Sequence, residues 1–166
     1  MDETRLDGDF LALLTEHRGA IQRVSRTYAV STGEREDLVQ EIVYQLWRAF
    51  PSFRRESAGL TWVYRIALNT AITGIRRRVR QPVHVPIADA AAVPSPPASG
   101  SDARTEILYR AVRSLGDIDR ALVMCYLEDL SYREIAEVLG ISESNVGARL
   151  NRTKAKLQEL VRGLES

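Results

Sequence analysis

Two helices separated by a single glycine, predicted between residues 127 and 160, constrain the fold of this chain more than any other feature. Ser131 and Glu134 have the spacing of a capping box, which satisfies free backbone N–H groups at the start of a helix. Gly140 fits the left-handed residue that ends this helix, and Ser142 can cap the next one. Two short helices joined in this way predict a helix-turn-helix.

The second helix of this motif is predicted to have a buried seam. Apolar side chains and one threonine recur at intervals of three and four residues, which is the spacing of one helix face. We expect this seam to pack against the first helix, and its members are Val146, Leu150, Thr153 and Leu157.

A polar stripe runs beside the seam and consists of Asn145, Arg149, Arg152 and Lys156. A helix with such a stripe can lie in the major groove of DNA, where arginine bonds guanine edges and asparagine bonds adenine edges. The alternative is the solvated face of an ordinary amphipathic helix. The caps, the turn glycine and the stripe together favour DNA binding.

The whole chain reads as helical. Its hydrophobic content of 45% is enough for globular cores, and its net charge of +1 means that contacts with nucleic acid must come from local clusters. No segment alternates as a strand would, so we expect an all-α fold. Besides the helix-turn-helix, five helices are predicted, spanning Phe10 to Val24, Leu38 to Phe50, Trp62 to Thr73, Ile107 to Leu115 and Ile118 to Leu127.

A proline-rich stretch divides the chain into two small helical domains. Five of the six prolines fall between Pro82 and Pro97, in a segment without lysine or arginine. We predict a flexible linker over residues 82–101, joining domains 1–81 and 102–166. The alternative is an ordered surface loop.

No catalytic, metal or cofactor site emerges from the sequence. The single cysteine, Cys125, lies in an apolar stretch and is expected to be a buried small hydrophobe. An enzyme acting on nucleic acid would need a carboxylate or histidine cluster. The nearest candidates, Glu34, Glu36 and Asp37, look like the acidic start of a helix.

The N-terminal residues lack the basic and apolar blocks of a signal peptide, and no apolar run reaches membrane-spanning length. We therefore expect a cytoplasmic protein that does not insert into a membrane.

Residues 61–80 combine aromatic, amide and guanidinium groups. Trp62 and Tyr64 precede Asn69 and an arginine cluster. Aromatic rings can stack on unpaired bases while arginines hold phosphates of the same strand. Alternatively, the aromatic residues belong to the core and the arginines form a solvated helix end. For Trp62 the core interpretation is favoured.

The order of these motifs resembles that of the bacterial extracytoplasmic-function (ECF) sigma factors, small two-domain specificity subunits of RNA polymerase. The resemblance covers nearly the whole chain. It is carried by DLVQE and LWRAFPSF, then TWVYRIALN with its trailing arginines, the proline-rich linker, and LSYREIAEVLGIS with VGARLNRTKAKL. It implies core RNA polymerase and promoter DNA as partners, and an anti-sigma factor as a regulator.

The resemblance also implies roles for residues of the first domain. The residues that it implies for polymerase docking are Asp37, Gln40, Glu41 and Trp47, although Trp47 can also belong to the core. The loop at residues 54–60 would capture a base flipped from the melted downstream (−10) element. The candidates for contact with that element are Arg54, Arg55, Glu56, Ser57, Trp62, Asn69, Arg76, Arg77, Arg78 and Arg80.

In the second domain the resemblance implies recognition of the upstream (−35) element by Tyr132, Ser144, Asn145, Ala148, Arg149, Arg152 and Lys156, with Lys154 a phosphate contact or a solvated neighbour. Three positions depart from the commonest family pattern. Thr73 and Gly74 replace an Asp and a large apolar residue, and Asn145 replaces a threonine. The alternative to a sigma factor is a stand-alone helix-turn-helix regulator whose first domain dimerises or senses a ligand.

Overall fold

The computed structural model describes residues 3–80 and 102–166, and the predicted linker, 82–101, lies outside them. The chain divides into two compact units, Met1–Val93 and Pro94–Ser166. The described residues form eight α-helices and a short 3₁₀ turn, without a strand among them. The predicted all-α class and the helix-turn-helix are therefore confirmed.

The N-terminal unit contains four helices and the 3₁₀ turn. They are α1 (Glu3–Glu16), α2 (Arg18–Tyr28), α3 (Thr32–Ala49), the turn Phe50–Ser52 and α4 (Gly59–Arg80). Helices α2, α3 and α4 all pack against one another. Their shared core is apolar and almost fully buried, at Val24, Ile42, Leu46, Val63, Tyr64 and Leu68.

The prediction of one helix from Phe10 to Val24 was wrong, because the segment bends at His17. The backbone of His17 has φ −107° and ψ 16°, outside the helical range. The bonds from His17 N–H to Leu13 C=O (3.1 Å) and from Ile21 N–H to His17 C=O (3.2 Å) are nevertheless kept. The bend therefore redirects the chain without a loop, and the nearby Gly19 is a weak helix former.

Helix α3 begins at Thr32, ahead of the predicted start at Leu38, and ends at Ala49, next to the predicted end at Phe50. The Ser31 side chain accepts a hydrogen bond from the Glu34 N–H at 3.2 Å, and the Glu34 carboxylate accepts one from the Val30 N–H at 3.0 Å. Pro51, predicted as the stop, lies in the 3₁₀ turn that follows Ala49. Both ends of the helix are thus set by local chemistry.

The C-terminal unit is built around its last helix. It comprises α5 (Ala103–Arg113), α6 (Asp117–Leu127), α7 (Tyr132–Leu139) and α8 (Glu143–Glu165), and α8 packs against the other three. Helix α5 ends two residues before Leu115, which is still buried. Because the linker side of this unit lies outside the described residues, the predicted domain boundaries stay predictions.

The helix-turn-helix forms as its caps predict. Ser131 and Glu134 complete a capping box with bonds of 3.1 and 2.7 Å. Gly140 has φ 68° and ψ 34°, the left-handed conformation. Ser142 accepts a bond from the Asn145 N–H at 3.2 Å at the start of α8.

Helix α8 is longer than the short second helix that the sequence suggested. Its seam is buried at Val146, Leu150 and Thr153, and Leu157 is half-buried. Beyond the helix-turn-helix, Leu157 and Leu160 pack against a second cluster formed by Val112, Leu115 and Val123. The last two turns continue because their apolar residues join that cluster, so α8 belongs to the helix-turn-helix at one end and to the core at the other.

Candidate nucleic-acid interface

The polar stripe of α8 is mostly exposed. Its members Asn145, Arg152 and Lys156 face solvent, as do Ser144 and Ala148 beside them. At 3.6 residues per turn, these positions fall on one side of the helix, away from the buried seam. The amide and guanidinium groups on this surface are of the kinds that bond base edges in the major groove of DNA.

Tyr132 lies at the start of α7 and is 42% exposed. Its ring is next to Gly147 of α8, where an added Cβ would come within 3.4 Å of Tyr132 Cε2. This distance is an ordinary van der Waals contact, so the Tyr132 ring lies against α8 at this position. At 3.6 residues per turn, Gly147 lies on the side of α8 away from Asn145, Arg149, Arg152 and Lys156, so the −35 role that the resemblance implies for Tyr132 stays a prediction.

Arg149 differs from its neighbours because it is tied to another helix. Its Nε donates to Asp119 Oδ1 of α6 at 2.7 Å, and the two side chains are 35% and 27% exposed. Asp119 is thirty residues away in sequence. Sequence analysis missed it because no local pattern links an acidic residue at a helix start to one arginine of a distant helix.

Lys154 has a partner that the sequence also did not reveal. Its ammonium lies 3.9 Å from the centroid of the Tyr126 ring. Such a cation–π contact contributes about 0.5–1 kcal/mol at an exposed site. Lys154 is therefore restrained by its contact with Tyr126. The sequence predicted only a solvated neighbour or a phosphate contact and did not reveal this contact.

In the N-terminal unit, α4 presents an exposed polar stripe of its own. Helical spacing places Asn69, Thr73 and Arg76 on one face, and all three are exposed. Arg65 belongs to the same face and is exposed as well. It was missed at the sequence level, although its spacing of four residues from Asn69 is a usable signal.

The arginines at the end of α4 do not all lie on one surface. Arg76, Arg77 and Arg78 are exposed, but Arg78 Nη1 lies 3.7 Å from Glu34 Oε1 of α3. An exposed ion pair of this length contributes about 0–1 kcal/mol. Arg78 therefore faces α3, away from the stripe that contains Asn69. Arg80 is the last residue of the helix, and its side chain lies outside the described ones.

The loop between the 3₁₀ turn and α4 borders a cleft of about 470 Å³. Arg54, Arg55 and Glu56 are exposed there, and Ser57 is half-buried. Arg55 has φ 57°, a left-handed conformation that is uncommon for a residue with a side chain. The cleft is lined by this loop and by the end of α1, including His17.

Trp62 lies in the core and not on a nucleic-acid surface. It is only 7% exposed, and its ring centroid is 4.4 Å from that of Phe53. Phe50 packs against the same ring at 6.3 Å. Its inclusion among the −10 candidates is therefore corrected, because a ring enclosed in this way is not available to stack on an unpaired base, and the core interpretation is confirmed.

Helix α3 carries a third exposed face. Asp37, Gln40 and Glu41, the residues expected to dock on polymerase, are all exposed. The same face continues through Tyr44, 53% exposed, and Trp47, 42% exposed. Sequence analysis missed Tyr44, although its position four residues after Gln40 places it on this face.

Trp47 belongs partly to the core and partly to the exposed face, and its role in polymerase docking stays a prediction. Its ring contacts Phe10 of α1 edge-on, with centroids 5.0 Å apart, yet nearly half of its surface remains accessible. Arg48 lies beside it, with its guanidinium 5.8 Å from the Tyr44 ring. The α3 face thus combines acidic residues with two accessible aromatic rings, and tyrosine and tryptophan are among the residue types enriched at protein-binding hot spots.

Cys125 is fully buried, and burial together with the charge of Glu128 raises the pKa of its thiol to about 12. The thiol is therefore protonated at neutral pH and is a poor nucleophile. Within residues 3–80 and 102–166, no group of His, Cys, Asp and Glu side chains could hold a metal ion. Nor does any helix in those ranges combine the length and apolar character that a membrane span requires.

The comparisons with known proteins agree with this architecture. Residues 13–81 match Sigma-70 region 2, and residues 105–157 match Sigma-70, region 4. The class of protein defined by the fold and its surfaces is therefore that of the sigma-70 factors.

Curated relatives narrow the class further. The ECF RNA polymerase sigma-E factor of Escherichia coli K12 is 32% identical over 153 residues, covering 80% of this chain and 78% of the relative. The sigma-E factor of Haemophilus influenzae is 29% identical, covering 93% and 88%. The chain belongs to the ECF family of RNA polymerase sigma factors. It directs core polymerase to specific promoters and initiates transcription there.

Solved structures share the fold. The sigma factor RpoE from Bartonella quintana, in complex with the anti-sigma factor NepR, has a TM-score of 0.75 at 23% identity and covers 93% of this chain and 97% of its own. CnrH, in complex with the cytosolic domain of CnrY, has a TM-score of 0.64 at 21% identity, covering 93% and 88%.

Proposed function

We propose that the three exposed faces divide the work of promoter recognition. The α8 stripe reads the −35 element, the 54–57 loop and the α4 stripe hold the melted −10 strand, and the α3 face docks on core polymerase. The observation that carries this proposal is the exposed, uninterrupted polar face at the start of α8, presented by a helix-turn-helix with all of its caps in place.

Downstream recognition rests on side chains from two neighbouring segments. Asn69 and Arg76 offer an amide and a guanidinium on one side of α4, and Arg65 extends this surface by one turn. A flipped base needs hydrogen-bonding groups on its edge, and the strand that carries it needs cations. We assign Asn69 to the base and Arg65 and Arg76 to the phosphates. Arg78 contributes less, because it pairs with Glu34.

The protein acts by binding and contributes no catalytic group of its own. Each of the two units makes only a small contact with the promoter. Because polymerase fixes the distance between the units, the second DNA contact becomes intramolecular once the first has formed. We place this activity in the cytoplasm, where core polymerase meets the chromosome. The free protein should bind promoter DNA weakly and the holoenzyme tightly.

We also propose an anti-sigma factor as the regulator, because the sigma factor RpoE, whose fold this chain shares, was solved in complex with the anti-sigma factor NepR. The α3 face is the candidate site on this chain. Inhibitor and polymerase would then compete for it, and a Tyr44→Ala variant should bind both less tightly. If only inhibitor binding fell, a shared surface would be excluded.

Run-off transcription tests the proposed function. Purified core polymerase is supplied with promoter fragments from the source genome, with and without this protein. We expect discrete start sites that require the protein. The amount of transcript from these sites should fall with Arg152→Ala, which removes an exposed member of the α8 stripe. Arg162→Ala, an exposed arginine of the same helix beyond the stripe, is the matched control. Equal activity of the two variants would exclude the stripe as the upstream reader.

A further inference from the structure

The ion pair between Arg149 and Asp119 joins the recognition helix to the first turn of α6. Nε of Arg149 lies 2.7 Å from Oδ1 of Asp119, a short, charge-assisted hydrogen bond. The backbone on the α8 side is also fixed, because the hydroxyl of the buried Thr153 donates to the Arg149 C=O at 2.8 Å. Both the backbone and the side chain of this arginine are therefore held in place.

Arg149 occupies the border between the two faces of α8. Helical spacing places it between the exposed Asn145 and Arg152 on one side and the buried Val146 and Thr153 on the other. A flexible arginine at such a border could turn in several directions. The bond to Asp119 selects one of them while leaving 35% of the side chain accessible.

The contact with Asp119 leaves the two terminal nitrogens of the Arg149 guanidinium available. Arginine has five N–H donors, and only the Nε donor is used by Asp119. Among the residues that the structure describes, it is the only hydrogen bond recorded for this guanidinium. The two terminal nitrogens form the fork that bonds O6 and N7 of guanine.

We infer that Asp119 is a positioning residue for base recognition: it holds the Arg149 guanidinium by Nε so that the terminal fork faces one base pair of the upstream element. This inference rests on the proposed function, because it requires α8 to read DNA. It adds a specificity-determining residue that lies outside the recognition helix. Fixing the side chain before binding reduces the rotamer entropy lost on contact with the base.

The competing explanation is that the pair only ties α6 to α8. The same unit offers a matched control, because Arg113 Nη2 and Glu106 Oε1 form a second ion pair at 3.1 Å with similar exposure, 26% and 33%. That pair is formed by α5 alone and is not on the polar stripe. Glu106→Ala therefore removes a comparable contact without touching Arg149.

The test measures base preference with the full-length protein assembled on core polymerase. A promoter library with a randomised upstream element is incubated with each holoenzyme, and the bound DNA is sequenced. Asp119→Ala and Arg149→Ala should lose about tenfold or more in preference at the same base pair, and the double variant should lose no more than Arg149→Ala alone. Asp119→Asn, whose amide oxygen still accepts the Nε bond, should keep most of the preference.

The remaining outcomes separate this inference from the proposed function. If Asp119→Ala behaves like Glu106→Ala, with the preference intact while Arg149→Ala loses it, the positioning role is excluded and upstream reading stands. An even loss at all positions, or tighter binding by Asp119→Ala, would also exclude it. If the wild-type holoenzyme selects no upstream sequence, the proposed function itself fails.

Discussion

Trp62 and Trp47 are both tryptophans near the ends of apolar runs, yet one is 7% and the other 42% exposed. Local spacing shows which face of a helix a residue occupies. It does not show which distant side chain covers that face, and this is why the partner of Arg149 could not be read from the sequence.

At this scale, Trp62→Ala should destabilise the N-terminal unit strongly. The change removes a buried indole that packs against Phe50 and Phe53, and substitutions of this kind cost about 3–5 kcal/mol. Denaturant unfolding of the full chain, followed by the loss of helical circular dichroism, measures the effect.

Trp47→Ala is the matched control for this experiment. It loses only a half-exposed edge-on contact with Phe10, so its unfolding free energy should fall by less than half as much. Equal destabilisation by the two variants would contradict the assignment of Trp62 to the core.

Among the secondary-structure elements, those with strong local chemistry were predicted best. The capping box of α7, the left-handed Gly140 and the serine cap of α8 all follow from residues within four positions of one another. The bend at His17 was missed because no proline or cap marks it, and the full length of α8 was missed because it depends on tertiary packing. At the end of α8, Leu157 and Leu160 are kept helical by residues of α5 and α6.

Gly140→Ala tests the helix-turn-helix at this scale. An added Cβ would meet nothing within 4 Å, so the cost arises only from forcing alanine to φ 68°. We expect a loss of about 1–2 kcal/mol in the unfolding free energy of the C-terminal unit.

Gly163→Ala, also without a neighbour within 4 Å but inside α8, should instead stabilise this unit by up to about 1 kcal/mol. Thermal and denaturant unfolding of the two variants provide the comparison. A neutral Gly140→Ala would mean that the turn does not require its left-handed residue.

Tyr44→Ala tests the exposed face of α3. An accessible aromatic ring in the middle of a docking surface is a typical hot spot, so polymerase binding should weaken by about 2 kcal/mol or more while the fold is unaffected. The measurement is a titration of labelled core polymerase with each variant. Leu11→Ala, a 62% exposed apolar residue of α1, is the control and should bind like the wild type. Equal losses for the two variants would contradict the assignment of this face.

At the scale of the whole molecule, we expect promoter recognition to require both units acting on one promoter. Each unit has its own core and its own exposed polar face. The order of motifs along the sequence was enough to predict this division, because the caps, the helical periods and the proline-rich stretch are all local. The contacts that shape each surface, such as Lys154 with Tyr126 and Arg78 with Glu34, required the fold.

Tethered DNA cleavage within the holoenzyme tests most directly whether the two units contact different promoter elements. Cys125 is buried and its thiol pKa is raised to about 12, so the native cysteine should not react with a cleavage reagent at pH 8. New cysteines introduced singly at exposed positions, Ala148→Cys on α8 and Ala58→Cys in the loop at residues 54–60, would then carry the reagent.

We predict cuts at the upstream element from position 148 and cuts at the melted downstream element from position 58, on the same promoter and only with polymerase present. Overlapping cuts from the two positions, or symmetrical cuts made without polymerase, would contradict the account and favour a stand-alone regulator.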